Sequence, residues 1–324
     1  MRLPNHDDVR AASARIAPYV LRTPVLRHPV LDALTGGIIL VKPEALQRTG
    51  SFKLRGATNA ALCLPEAARA AGVVTHSSGN HGQATACAAK MLGMSALIAM
   101  PADAPAIKVA STRRWGAEIT FFDRRTTDRE TLAAGLAAAR GGTVLPPFDH
   151  PDVIAGQGTL ALELIEDARA AGLVLDDLLV CTGGGGLVAG CALAVEGASP
   201  TTRVHAVEPE GWDDTRRSLD AGTRIANDGQ GATLCDALLS MRPGALTFAI
   251  NQPRLASAVV VSNAEVFQAM RFAFEHLKIV VEPGGAVALA AALAGKLPLA
   301  GRVAGLVVSG GNVDPATFQR ALDA

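Results

Sequence analysis

Lys53 stands in the run Thr49-Gly50-Ser51-Phe52-Lys53-Leu54-Arg55-Gly56-Ala57, which places an amine at the mouth of a helix. On its own a lysine is a solvated surface charge. Here Phe52 can pack on a flat ring, and small-residue loops further along could hold a phosphate. In that company Lys53 becomes an amine able to condense with the aldehyde of a phosphorylated ring as a Schiff base.

Gly183-Gly184-Gly185-Gly186 follows a strand ending at Cys181 and Thr182 and precedes the helical run Leu187 to Leu193. Such a loop aims several backbone N–H groups at one anion, and the helix dipole adds attraction. A mere turn would not need four consecutive glycines, given their entropy cost, so the loop reads as a phosphate cup. Whose phosphate stays open at this point. Gly184, Gly186 and Ala189 also satisfy G-x-G-x-x-A, and Glu208 ends the next strand where a ribose-binding carboxylate belongs in a dinucleotide fold. A nicotinamide-dependent oxidoreductase ranks second, because it leaves the Lys53 segment and the next loop unexplained.

Ser77-Ser78-Gly79-Asn80-His81-Gly82-Gln83 follows a strand through Val74 and opens a helix reaching about Gly93. The free N–H groups of such a start suit a carboxylate. A cap needs one or two small polar residues, and here seven occur in succession. His81 is given no proton-transfer role.

Strand-like runs at 38–41, 73–75, 96–99, 118–121, 178–181, 204–207 and 303–308 alternate with helix-period stretches. This predicts right-handed crossovers and parallel sheets covered by helices, the α/β class, with ligands at the carboxyl ends of strands. The break at Leu145-Pro146-Pro147-Phe148-Asp149-His150-Pro151 marks a crossing between domains. The 324 residues are nearly half apolar, enough for two cores without staples. Thirty basic residues balance thirty acidic ones, which leaves no footprint for nucleic acid or anionic lipid and points to a small-molecule ligand. Five scattered cysteines without CxxC spacing argue against a disulfide framework or a thiolate zinc site and fit a reducing cytoplasm. Met1 to Ser13 is charged, without an apolar core, and no apolar run reaches spanning length, so neither export nor a membrane span is expected.

Taken together, the segments resemble the fold-type II (tryptophan synthase β-like) pyridoxal-phosphate enzymes, specifically the serine/threonine dehydratase and serine racemase group. The matching segments are Ser51 to Ala57, Thr75 to Ala84, Val153 to Thr159, Gly183 to Leu187, Val207-Glu208-Pro209, Val281-Glu282-Pro283 and Ser309-Gly310-Gly311-Asn312. The resemblance implies that Lys53 holds pyridoxal 5'-phosphate and then acts as the base at the substrate Cα. It implies that Phe52 flanks the ring, Asn80 bonds its phenolic oxygen, and Gly183, Gly184, Gly185 and Gly186 bind its phosphate. Ser309 would face the pyridine nitrogen and Glu282 would lie near the ring. Ser77, Ser78, Asn80 and His81 would receive the substrate carboxylate, with Ser78 on the ring face opposite Lys53.

A neutral Ser309 at the ring nitrogen makes a restrained electron sink, which favours rapid loss of a β-hydroxyl. The expected activity is therefore dehydration of L-threonine or L-serine to a 2-oxo acid and ammonia, with serine racemase and threo-3-hydroxyaspartate dehydratase as alternatives. A large domain of residues 1–71 and 150–324 would bind the cofactor, and an inserted small domain, 72–149, would receive the substrate carboxylate. The resemblance also implies a homodimer, and a structural Mg²⁺ or Ca²⁺ held by Glu208, the Trp212 carbonyl and Asp214, although a solvated acidic turn would give the same spacing. Two departures from the family pattern stand out. Cys235-Asp236-Ala237 replaces the usual Ala-Asp-Gly, and Pro283 is followed by Gly284 where Ala or Ser is commoner. With the last residue at Ala324, feedback through a C-terminal regulatory domain is not expected.

Overall fold

Nine strands form two wholly parallel sheets in the computed structural model, which describes residues 2–77, 79–104, 106–123 and 125–324. They are β1 Ile38–Pro43, β2 Val73–His76, β3 Ala96–Pro101, β4 Glu118–Phe122, β5 Thr143–Val144, β6 Asp177–Cys181, β7 Arg203–Pro209, β8 Leu255–Val261 and β9 Val303–Val308. The larger sheet runs β1-β9-β6-β7-β8 and the smaller β4-β3-β2-β5. Strands such as β6 and β9 are apolar and buried almost end to end because helices cover both faces. β5 and β8 lie outside the strand-like runs of the sequence. β5 is two residues long, and β8 is a half-buried edge strand whose Ala-Ser-Ala segment weakens its β signal.

Each sheet reverses its strand order once. In the larger, β6 leads outward to β7 and β8 while β9 lies on its other side; in the smaller, β2 leads to β3 and β4 while β5 lies on its other side. Open α/β sheets bind ligands at the carboxyl ends flanking such a reversal. Gly183–Gly186 follows β6 and Ser309 follows β9, while Ser77–His81 follows β2 and Leu145–Phe148 follows β5. Both reversal points therefore open on one cavity.

The helix Lys53–Cys63 is fixed between the two sheets. Its Ala60 and Ala61 join the smaller sheet's apolar cluster, and Ser51 forms a bridge with Gly310 beyond β9. Two residues past Lys53, the fully buried Arg55 guanidinium donates to both oxygens of Glu44 and both of Glu163, and further to Thr159 Oγ1 and the Leu21 carbonyl. The buried Lys42 ammonium completes the cluster, 2.7 Å from Glu163. Four of the five cysteines are buried. Among the described residues no helix is long and apolar enough to cross a membrane.

Candidate active site

The cavity between the sheets has a volume of about 220 Å³ and is lined by Phe52, Lys53, Ser77, Asn80, His81, Gly183–Gly186, Glu282 and Ser309, the greater part of the expected set. Ser78, the expected second-face residue, lies outside the described residues. Glu208, Trp212 and Asp214 are not in its lining and stand at the end of β7 and the start of the helix Asp214–Ala221.

Lys53 Nζ donates to the Pro147 carbonyl at 2.7 Å and sits 5.2 Å from the centre of the Phe52 ring. Burial lowers its pKa to about 8, with Cys181 and Glu282 acting in the opposite sense. A substantial fraction of the amine is therefore neutral at physiological pH, the state a nucleophile or base requires.

The glycine loop turns two of its carbonyls, those of Gly184 and Gly185, toward residues outside the cavity lining. Thr247 Oγ1 donates to the Gly184 carbonyl at 2.7 Å and Asn251 Nδ2 to that of Gly185 at 3.2 Å. In a trans peptide the N–H points opposite the C=O, so the N–H groups of Gly185 and Gly186 face the cavity. Side chains have no room here. A Cβ on Gly184 would lie 2.5 Å from the Phe148 ring, and Gly185 adopts φ +89°, where only glycine is unstrained.

On the opposite wall, Asn80 Nδ2 donates to Glu282 Oε1 at 2.6 Å while Asn80 Oδ1 accepts from Asn312 Nδ2 at 2.7 Å. This fixes the amide's orientation and leaves its second N–H for a ligand. Burial raises the Glu282 pKa to about 8, so Glu282 is mostly a neutral acid at pH 7. Ser309 accepts a bond from Phe52 N at its carbonyl, 3.0 Å, which docks the Lys53 turn against the end of β9. His81 Nε2 lies 3.0 Å from the Leu145 carbonyl, an acceptor, so that nitrogen carries the proton. Burial, reinforced by the Lys53 charge, lowers its pKa to about 3. Its Nδ1 is buried without a partner and can only accept, so His81 can offer a carboxylate its backbone N–H alone.

Several cavity residues escaped sequence reasoning. His76 ends β2, and burial together with the Arg129 charge lowers its pKa to about 4. Arg129 opens the helix Arg129–Arg140 behind its Asp128 cap, and Lys108 pairs with Asp236 across the cleft. Arg129 and Lys108 are lone residues of common type without a local motif, whereas His76 and Asn312 lie inside recognised segments but carry no assigned role there.

At the expected cation site, Glu208 accepts from Thr215 N and Arg216 N at 2.8 Å each, and Asp214 accepts from Asn227 Nδ2 at 2.7 Å. Burial raises Glu208 to about 8 and Asp214 to about 6, and Asp214 Oδ2 is buried without a partner. Among the described residues no group of three or more His, Cys, Asp or Glu side chains could hold a metal. The two carboxyls would need the Trp212 carbonyl or water to complete a shell.

Residues 16–310 match the model of the family described as pyridoxal-phosphate dependent enzyme. An L-threo-3-hydroxyaspartate ammonia-lyase of Pseudomonas sp is 46% identical over 314 residues, covering 97% of each chain. A serine racemase of Schizosaccharomyces pombe is 43% identical, covering 96% of this chain and 95% of its own. The crystal structure of a threonine deaminase from T.th. superposes with a TM-score of 0.89 at 44% identity, covering 96% of this chain and 99% of that one. With a buried lysine and a glycine loop lining the one cavity on which both reversal points open, and relatives matching from end to end, the chain belongs to the pyridoxal-phosphate-dependent enzymes of fold type II.

Proposed function

We propose that this chain releases ammonia from a β-hydroxy amino acid by β-elimination, and that its favoured substrate carries a second carboxylate, as L-threo-3-hydroxyaspartate does. Arg129 carries this reading. It lines the cavity beside His76 at the carboxyl end of the smaller sheet, with Lys108 nearby on the same cavity. Lys108 already pairs with Asp236, whereas a β-carboxylate at that position would give Arg129 an ionic partner that a methyl group or a hydrogen cannot. The activity named for the Pseudomonas relative supports the same substrate.

The residues present fit pyridoxal phosphate: a glycine loop with no room for side chains, a buried amine, and an asparagine with one N–H to spare. When bound, the cofactor supplies an electron sink conjugated to the substrate Cα. Lys53 Nζ would hold the aldehyde and, once freed, would take the Cα proton. Asn80 would offer its spare N–H to the phenolic oxygen, and Ser309 a neutral hydroxyl to the ring nitrogen. Backbone N–H groups at the start of the Asn80–Met91 helix receive the α-carboxylate. Loss of the Cα proton and the β-hydroxyl gives an enamine, which tautomerises and hydrolyses to a 2-oxo diacid and ammonia. Residues 72–149 act as the unit that carries the substrate carboxylate to the cofactor. Glu208 and Asp214, with the Trp212 carbonyl, are the residues that would hold a structural divalent cation, whose charge would offset their burial.

Dehydration of L-threonine or L-serine is the second reading, favoured by the likeness to a threonine deaminase. The test is ammonia and 2-oxo acid release by holoenzyme from L-threo-3-hydroxyaspartate, L-serine and L-threonine. The diacid should have the highest kcat/KM. Arg129→Met should lower that value by about ten- to a hundredfold while leaving L-serine unchanged. A preference for L-threonine, with no selective effect of the substitution, would establish the second reading instead.

A further inference from the structure

Four successive glycines have no side chains to pack and great conformational freedom, so the phosphate loop cannot hold its shape unaided. The helix Ala245–Asn251 and the turn before it supply what is missing. Thr247 Oγ1 and Gly244 N both donate to the Gly184 carbonyl, at 2.7 and 3.2 Å, and Asn251 Nδ2 donates to that of Gly185 at 3.2 Å. That helix has only seven residues and starts at a glycine, which offers no side chain to its free N–H groups. Asp149, 96 residues before Ala245, takes them instead: Oδ2 accepts from Ala245 N at 2.9 Å, and Oδ1 from Leu246 N at 2.9 Å and Thr247 N at 3.0 Å. Asp149 lies in the crossing segment, next to Phe148, whose ring covers Gly184, and two residues after Pro147, which holds Lys53.

We infer that Asp149 is a positioning residue for the cofactor phosphate. Its carboxylate fixes the Ala245–Asn251 helix, and the helix, through Thr247 and Asn251, keeps the Gly184 and Gly185 carbonyls turned out of the cup. Without that carboxylate three N–H groups lose their acceptor and the Gly184 peptide is released to rotate. A carbonyl oxygen turned inward would repel a phosphate dianion. Asn80 and Ser309, which would contact the ring, take no part in this chain of bonds, and Lys53 bonds the Pro147 carbonyl rather than Asp149 or the helix. The defect is therefore specific to the phosphate.

Apoprotein of the wild type, Asp149→Leu and Asp149→Asn is titrated with pyridoxal phosphate and, separately, with pyridoxal. The absorbance of the lysine adduct is followed, with Lys53→Ala giving the background from other amines. Asp149→Leu should weaken pyridoxal phosphate by about tenfold or more and leave pyridoxal unchanged; Asp149→Asn, which keeps one acceptor oxygen, should fall between. Thr247→Val removes only the hydroxyl bonded to Gly184, should reproduce part of the selective loss, and decides the matter if Asp149→Leu does not fold. Equal weakening of both aldehydes, or of neither, overturns the proposal. A wild-type protein forming no adduct at Lys53 would overturn it along with the role given to that lysine.

Discussion

Lys53 owes its chemistry to where it is buried. Desolvation brings its pKa to about 8, so the neutral amine that attacks an aldehyde is the minor form at pH 7 and the major one at pH 9. The rate at which apoprotein takes up pyridoxal phosphate should accordingly rise through about pH 8 and level off above it, as stopped-flow absorbance would record; a midpoint near that of an exposed lysine would contradict this assignment. Sequence reasoning found Lys53, Asn80 and the glycine loop because each sits in a run whose composition is unusual over several neighbours. Arg129 and Lys108 carry no such local mark, and His76 and Asp149, though inside runs singled out in the sequence, are not distinguished there from their neighbours. They acquire meaning only when loops 50 or more residues apart in the chain converge, as Lys108 and Asp236 do across 128 positions.

Among the elements, the two departures from the family pattern prove to be one. A Cβ placed on Gly284, in the first turn of the helix Pro283–Leu293, would lie 3.2 Å from the Ala237 methyl and 3.2 Å from Leu238 Cγ. An extra methyl at 237 is thus accommodated by a missing one at 284, and the short helix Asp236–Leu238 stays seated beside the cavity. Gly284→Ala alone should destabilise the protein by about 1–3 kcal/mol through overpacking. Adding Ala237→Gly should recover most of that, and a thermal-denaturation double-mutant cycle giving no coupling would refute the pairing. Strand alternation in the sequence located seven of the nine strands, because buried parallel strands read as apolar runs. It missed β8 because an edge strand facing partly outward need not be apolar throughout.

At the scale of the whole molecule, the helix Lys53–Cys63 between the two sheets is anchored through charges as well as apolar contacts. Arg55 sits unexposed between two carboxylates, and removing it would leave Glu44 buried without its ion-pair partner and Glu163 with Lys42 alone. Arg55→Met should therefore cost about 3–5 kcal/mol, measured by denaturant titration. For Glu163, burial acts to raise the pKa, but the Arg55 hydrogen bonds and charge prevail and the net shift is downward. Its contribution to stability is therefore complete above the unfolded pKa and is lost as the pH falls through the folded one, so the acid limb of the wild-type stability curve should be steeper than that of Arg55→Met. The same dense burial governs sulfur. Cys87, Cys181, Cys191 and Cys235 are enclosed, and Cys63, though exposed, has its thiol pushed up to about 11 by desolvation and the neighbouring Asp152. Thiolate is the form that oxidants and alkylating agents attack, so an enzyme with a thiol inside its cofactor chamber nonetheless presents almost nothing for peroxide to consume.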